Sequence, residues 1–429
     1  MDQDAVVVGQ EGDASLMRIL WVKANKILPV HSGGDIRSFN ILRQLAKRDH
    51  VAFFSYYDGD RDPAYEAELE KQLPGSVCVC TSKQQESKWV RGWDYLMRLP
   101  NAAPYAVSRF ASAAVRERLR RCLAERSPDV VICDFLDAAI NFPDLLEVPS
   151  VLFQHNVESE IWRRHATNGS GRAMKLVYQR EFSRMLRYEQ AAVRRFDHVI
   201  AVSDHDKNLM SAWVDAARVT VVPTGVDTDQ FSPDEQAGHE KPLVVFVGAM
   251  DWEPNIDAVQ YFCVDIWPRI LAKVPDARFR IVGRNPDRRV EGLAGSSVEV
   301  TGRVPSVLEH LREAAVVVVP LRVGGGTRLK IYEAMAAGKA VVSTTVGAEG
   351  LDVHHGKDIV LADSPASFAD SVVPLLQDVE SRSRMGKAAA ALAGQYAWPV
   401  IADKFGSVLR QVAGKRAGSG SMRSMLSVQ

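Results

Sequence analysis

From residue 17 almost to its end the chain alternates short β-branched apolar runs with helix-patterned stretches, and this alternation restricts it to an α/β architecture. In the first half the runs fall at 18–23, 51–56, 77–81, 130–134, 150–155, 198–203 and 219–223. Most are continuous apolar runs and do not alternate with polar residues. That is the pattern of parallel strands covered on both faces. Helical patterns lie between them, including a long one within 172–195. The first half therefore reads as a doubly wound domain.

Residues 223–242 break the rhythm with Thr224-Gly225-Val226-Asp227, Ser232-Pro233-Asp234-Glu235 and Gly238, and show no hydrophobic period. This is linker composition. The alternation then restarts, with strands expected at 243–248, 278–283, 298–302, 316–320, 340–345 and 359–361 and helices at 255–272 and 306–314. The expected organisation is an N-terminal Rossmann-like domain at 17–225, a linker at 226–241 and a C-terminal Rossmann-like domain at 242–397. A helix at 398–412 is expected to return toward the first domain. The stretch 413–429 is rich in Gly, Ser and basic residues and reads as a disordered tail.

Composition narrows the function. The 429 residues carry 53 basic and 53 acidic side chains, so no global field draws in nucleic acid or an anionic membrane, and any anion site must be local. The five cysteines, at 78, 80, 122, 133 and 263, form no CxxC, which argues for a reduced, cytoplasmic chain without a zinc site. No apolar run approaches the roughly 20 residues of a membrane span, and the first sixteen residues carry acids where a signal peptide would be basic.

The chemistry concentrates in Gly324-Gly325-Gly326-Thr327-Arg328-Leu329-Lys330-Ile331-Tyr332-Glu333, a glycine-rich loop that opens a short helix. A helix start favours acidic residues because the macrodipole is positive there, yet this one carries Arg328 and Lys330. The inversion makes sense if a ligand brings the negative charge, such as a diphosphate seated on the free N–H groups of Gly325, Gly326 and Thr327. Glu333, about one turn on, is placed to accept hydrogen bonds from the two hydroxyls of a ribose. The plain structural reading makes Thr327 an N-cap and pairs Lys330 with Glu333, in the weaker orientation with the cation first.

Ligands of open parallel sheets sit beyond the carboxyl ends of the strands. After the first strand comes Pro29-Val30-His31-Ser32-Gly33-Gly34-Asp35, whose glycines permit close backbone approach and whose Asp35 suits a helix N-cap. A tight turn explains the same residues. His155 is expected to end the fifth strand, followed by Asn156, a second N-cap candidate, and Glu158. A histidine there is either structural or part of a reaction centre.

Taken together these residues resemble the retaining family 4 glycosyltransferases of the GT-B fold, in which two Rossmann-like domains face each other across a nucleotide-sugar cleft. The most specific pieces are Gly326-Thr327-Arg328-Leu329-Lys330 with Glu333-Ala334-Met335-Ala336-Ala337-Gly338, then Val341-Val342-Ser343-Thr344 and Gly347-Ala348-Glu349-Gly350. Val221 to Thr228 with Phe231 is similar to the family's interdomain link. Gly248-Ala249-Met250-Asp251-Trp252 with Pro254-Asn255, and Gln154-His155-Asn156-Val157-Glu158, resemble sugar transferases of bacterial exopolysaccharide assembly. The resemblance implies that Glu333 binds the donor ribose and that Gly33 and Gly34 lie beside the diphosphate and transferred sugar. It also implies that Lys330, with the backbone around Thr327, neutralises the leaving diphosphate, and that His155 faces the transferred sugar. It implies a glycan or lipid-linked acceptor, no metal and no cofactor beyond the nucleotide-sugar donor, with peripheral association at the inner membrane face left open.

Two positions depart from the family pattern. A second glutamate common in the family would fall at position 325, which is Gly325, and an Arg and a Lys usual after the first strand of the C-terminal domain are replaced by Ala249 and, nearby, Asn255. The diphosphate is then expected to draw on Arg328 and Lys330, with Arg322 or Arg284 as further cations. A catalytically idle nucleotide-sugar binder and a sugar-nucleotide epimerase of the same architecture are the competing readings.

Overall fold

The computed structural model describes residues 16–30, 32–81, 88–98, 101–168, 172–233, 241–323 and 328–426. Gly324, Gly325, Gly326 and Thr327, and residues 234–240 of the linker, lie outside the described residues. Two wholly parallel sheets organise the rest. The first holds β1 (Arg18–Ala24), β2 (His50–Tyr57), β3 (Val77–Cys80), β4 (Val130–Asp134), β5 (Ser150–Phe153), β6 (His198–Ala201) and β7 (Val219–Val221), in the order β3-β2-β1-β4-β5-β6-β7. The second holds β8 (Leu243–Val247), β9 (Arg278–Val282), β10 (Val298–Gly302), β11 (Val316–Val319), β12 (Ala340–Ser343) and β13 (Val360–Leu361), in the order β10-β9-β8-β11-β12-β13. In each sheet the order reverses beside the first strand, β1 or β8. That switch point is where an open α/β sheet takes its ligand.

Helices cover both faces of both sheets. Those that build the cleft or flank it are α1 (Gly33–Leu45), α2 (Lys88–Met97), α3 (Glu158–Asn168), α4 (Arg172–Arg195), α5 (Glu253–Tyr261), α6 (Leu329–Ala336) and α7 (Trp398–Leu426). Strand β1 shows why its apolar run is unbroken: Ile19 and Trp21 enter one core and Leu20 and Val22 the other. The helix expected at 255–272 is present but not uniform, since a π-helical turn at Phe262–Ile266 separates Glu253–Tyr261 from Trp267–Leu271. Such a turn absorbs one extra residue in an otherwise α-helical stretch.

Helix α7 returns to the first domain and packs against α1. Phe405 lies 5.4 Å from Trp21 in a stacked arrangement and 5.0 Å from Phe153 edge-on. Arg48 pairs with Asp403 at the rim. The two chain crossings between the domains run side by side, because Val226 N–H donates to Tyr396 O (2.9 Å) and Trp398 N–H to Val226 O (3.2 Å). Gly225 lets them touch: a Cβ there would stand 2.4 Å from the Trp398 ring. Beyond residue 412 the backbone of α7 is helical to Leu426.

Candidate active site

A cavity of about 870 Å³ opens between the carboxyl ends of the two sheets, lined by both domains. On the C-terminal wall β8 ends at Val247, and Gly248 donates its N–H to Val282 O (2.9 Å). A side chain on Gly248 would collide with Asn255 Nδ2 at 2.7 Å and Lys330 Nζ at 2.9 Å, so the glycine is what admits those two polar groups to the switch point. Asn255 holds its amide by donating to Ala249 O (2.9 Å), and its Oδ1 accepts from Lys330 Nζ (2.8 Å). The ammonium also sits 4.4 Å from the centre of the Phe246 ring, within cation–π range. The residue that replaces a family cation thus serves as the mount for the remaining one.

No carboxylate among the described residues forms an ion pair with Lys330. Burial lowers its pKa to about 7, helped by the nearby Arg328 charge and opposed by Glu333. A buried cation without an anionic partner is costly. Arg328 occupies the N-cap position of α6 in place of the expected Thr327, with a left-handed backbone (φ 53°), a conformation non-glycine residues adopt at a cost. Its Nη2 donates to Val346 O (2.9 Å) and reaches Glu349 Oε2 at 3.4 Å, which ties the helix start to the loop after β12. Glu333 is half-buried on α6, close enough to the cavity-lining Lys330 for their charges to interact, and is not itself among the lining residues. Burial raises its carboxyl to about 7 against the pull of Lys330.

Arg322 and Arg284 are not cleft cations. Arg322 is held outside by Asp257 and lies 4.5 Å over the Tyr261 ring, and Arg284 is exposed away from the cavity lining.

The N-terminal wall begins with Ser32, which caps α1 by accepting from Asp35 N–H (3.1 Å). Asp35 is therefore the third helical residue and not the cap. Gly33 and Gly34, in the first turn, line the cavity with N–H groups that have no intrahelical partner. His155 lies two residues beyond the end of β5, which stops at Phe153 and not at His155. Its ring sits under Gly34, where a Cβ would meet it at 3.9 Å. Its Nε2 contacts Asp134 Oδ1 (2.7 Å) and its Nδ1 contacts Arg37 Nη1 (2.9 Å). Arg37 has only donors, so Nδ1 accepts and the proton rests on Nε2, donated to Asp134. Burial lowers the His155 pKa to about 4, which keeps the ring neutral near pH 7. In this arrangement neither nitrogen is left for a sugar hydroxyl.

Asp134 is the centre of this wall. It is buried at the end of β4, in register with Lys23 of β1, whose Nζ lies 3.5 Å from it and 3.4 Å from Asp35. Trp21 Nε1 donates to its other oxygen (2.9 Å). Burial alone would raise this carboxyl, but Lys23, His155 and Trp21 outweigh it and hold it well below the usual range. Among the further carboxyls that line the cavity, burial raises Asp137 to about 6 and Glu158 to about 8. Sequence reasoning missed Lys23, Arg37, Asp134 and Asp137. The one available signal was a charge at the carboxyl end of each of two apolar runs, Lys23 and Asp134, because strand ends of a parallel sheet face the ligand.

Among the described residues no group of three or more His, Cys, Asp or Glu side chains is arranged to hold a metal ion, and no helix is long and apolar enough to cross a membrane. The wall built around Lys330 can stabilise an anion, and the opposite wall offers open backbone N–H groups over a rigid, neutral histidine.

Comparison with known proteins agrees with this geometry. Residues 32–230 match the family model Glycosyltransferase Family 4 and residues 241–378 match Glycosyl transferases group 1. A phosphatidyl-myo-inositol mannosyltransferase of Mycobacterium tuberculosis is 28% identical over 232 residues, 51% of this chain and 60% of that protein. The chain thus spans 60% of the length of the curated mannosyltransferases it first matches. Among solved structures, sucrose-phosphate synthase from Thermosynechococcus elongatus superposes with a TM-score of 0.68 at 18% identity, over 92% of this chain and 99% of that one. HepE of Anabaena, in complex with UDP and glucose, superposes with a TM-score of 0.62 at 14% identity, over 92% and 99%. With two family models in tandem, two parallel sheets and a shared cleft at their carboxyl ends, the chain belongs to the family 4 glycosyltransferases of the GT-B fold.

Proposed function

We propose that the protein transfers a sugar from a nucleoside-diphosphate-sugar to a hydroxyl of a glycan or lipid-linked acceptor, with retention at the anomeric carbon, at the cytoplasmic face of a membrane. The observation that carries this is Lys330, a half-buried ammonium mounted on Asn255 at the switch point with no carboxylate paired to it among the described residues. It lacks what a diphosphate would bring. The C1–oxygen bond of the donor breaks with its electron pair going to the leaving diphosphate, where Lys330 and the first-turn N–H groups of α6 stabilise the charge as it develops. The acceptor oxygen bonds to C1 from the same face, and its proton passes to a leaving phosphoryl oxygen. No protein nucleophile is needed in such a step, and the network of Lys23, Asp134, His155 and Arg37 acts as a rigid wall that positions the sugar.

Gly325, Gly326, Thr327 and Arg328 belong to the same donor loop in this reading, Gly33 and Gly34 approach the diphosphate and sugar, and Glu333 accepts from the ribose. The UDP-bound structural relative supports uridine donors as the first to test, and the phosphatidylinositol mannosyltransferase supports a lipid-linked acceptor. Exopolysaccharide assembly is the pathway the sequence motifs favour.

A thermal-shift panel of nucleotide sugars tests the donor, since a ligand at a hundredfold excess over Kd stabilises by about 2.7 kcal/mol. The expected result is stabilisation by one donor class, with nucleoside diphosphate released only when an acceptor is added. Stabilisation without release for any acceptor would indicate an idle binder, and donor conversion without acceptor would indicate an epimerase. Family membership favours turnover over both.

A further inference from the structure

We propose that Asp137 and Glu158 form a subsite on the N-terminal wall that takes a primary ammonium, so that the acceptor carries a free amine close to the hydroxyl that reacts. Both side chains line the cavity, Asp137 three residues beyond the end of β4 and Glu158 at the start of α3. Asp137 opens the 3-10 helical turn Ala138–Asn141, but its carboxyl caps none of that turn's N–H groups. Among the described residues neither carboxyl forms an ion pair. The cations acting on Asp137 are Arg109 and Lys23, and Lys23 is already shared between Asp134 and Asp35. The charges acting on Glu158, Asp137 and Glu189, are both acidic, and they push its carboxyl up beyond what burial does. An ammonium seated at the pair would offset both the burial and the repulsion.

A second observation, independent of charge, asks for a hydrogen-bond donor at the same place. Gln154 directly follows β5 and is fully buried; its Nε2 donates to Glu189 Oε1 (3.1 Å), which also accepts the N–H of Glu158 (2.8 Å). The amide therefore stands at the head of α3, yet its Oε1 has no hydrogen-bond partner, and neither has Asn156 Oδ1 on the cavity lining. Buried acceptors left without a donor are uncommon in folded proteins, and each calls for a partner. Two carboxyls and two amide oxygens offer acceptors, and an ammonium supplies three donors and no acceptor of its own.

The division of charge across the cavity agrees. Its N-terminal lining carries six Asp and Glu against four Lys and Arg, whereas its C-terminal lining carries Arg328 and Lys330 against Glu349 alone. A diphosphate is drawn to the second wall. On the first an anion meets net negative charge and a cation is attracted. Calling the bound amine part of the acceptor rests on the transfer proposed above; the binding of an ammonium at Asp137 and Glu158 does not.

Ligand-observed NMR titration of the full chain at pH 7 with glucosamine, glucose and N-acetylglucosamine, which differ only at one carbon, tests the inference. Glucosamine is expected to bind about tenfold or more tighter than the other two, as a charge-assisted contact requires. Asp137→Asn with Glu158→Gln is expected to bring the three affinities within about twofold of one another, and Glu158→Gln alone to reduce the preference several-fold. The fold should survive, because Glu189 holds the head of α3 through the N–H groups of Glu158 and Ser159 and not through the Glu158 side chain. Should the double variant fail to fold, the single one carries the test. Equal affinity for the three sugars, no binding of any, or a preference that persists in the folded variants overturns the subsite. Donor turnover that proceeds as readily onto neutral sugars as onto amino sugars sinks only the subsite, whereas an ammonium preference lost in the variants of a protein that never turns over a donor sinks only the proposed reaction.

Discussion

At the scale of single residues the account rests on two groups of α6 that burial moves in opposite directions, Lys330 down to about 7 and Glu333 up to about 7. A bound diphosphate favours the charged ammonium and so raises the Lys330 pKa, and ribose hydroxyls donating to Glu333 favour its carboxylate and lower that pKa. Above about pH 7 the free Lys330 is mostly neutral and Glu333 already ionised, so donor binding takes up a proton. Below about pH 7 Lys330 is already charged and Glu333 protonated, so binding releases one. Isothermal titration of an intact nucleotide sugar at pH 8 and pH 6, in buffers of different ionisation enthalpy, is expected to show this reversal. Lys330→Met should abolish uptake at pH 8 and Glu333→Gln release at pH 6; a proton balance of the same sign at both pH values would contradict both assignments. His155 behaves differently, because both its nitrogens are spent on Asp134 and Arg37. His155→Ala leaves a buried carboxylate short of a donor, and a stability loss of about 1–3 kcal/mol is expected, with nucleoside diphosphate affinity within about twofold of wild type and a reduced kcat. A variant with unchanged melting would show that the network around Asp134 does not brace this wall.

At the scale of elements, the strands were legible because parallel strands buried on both faces leave unbroken apolar runs, and 130–134 and 298–302 appear with the boundaries the pattern implies. Strand ends were overread by two residues at 150–155, 198–203 and 219–223, which stop at Phe153, Ala201 and Val221, where the pairing passes into single bonds such as Gln154 N–H to Ile200 O and Val222 N–H to Ala201 O. Lys23 with Asp134 could not be read off, because pairing across β1 and β4 depends on register, which a single charge at the end of a run does not encode. Arg37 was hidden for a similar reason: a cation one turn into an amphipathic helix looks like a solvent residue until tertiary packing buries it. The cap of α1 falls on Ser32 and not Asp35, and Arg328 takes the N-cap position of α6 without a side-chain capping bond. The loop glycines Gly325 and Gly326 lie outside the described residues, so the donor loop is argued from sequence and from its flank. The element-scale prediction concerns the end of β8. Gly248→Ala should push the Lys330 ammonium and the Asn255 amide off the switch point, lowering kcat about tenfold or more while costing no more than about 1–3 kcal/mol in stability. Wild-type kcat in a folded Gly248→Ala protein would show that the ammonium's position at the switch point is not used.

At the scale of the whole molecule, the architecture places an anion-stabilising wall and an open-backbone wall on separate domains and joins them through two adjacent crossings, 226 and 396–398. Helix α7, although last in sequence, supplies Phe405 to the core of the first domain and so packs the end of the chain back onto that domain. Two tandem parallel-sheet domains were visible in the rhythm of the sequence, whereas the meeting of the walls needed three dimensions. The central claim is that this cleft breaks a sugar–diphosphate bond with Lys330 stabilising the leaving group, and the most direct test compares Lys330→Ala with wild type for donor turnover and melting on the same preparation. Loss of one charge-assisted contact made mainly in the transition state predicts a rate about a hundredfold lower, on the order of 3 kcal/mol of barrier, with melting at least as high as wild type because a half-buried cation with no carboxylate partner among the described residues has been removed. Turnover within about twofold of wild type, less than about 0.5 kcal/mol of barrier, would contradict the account.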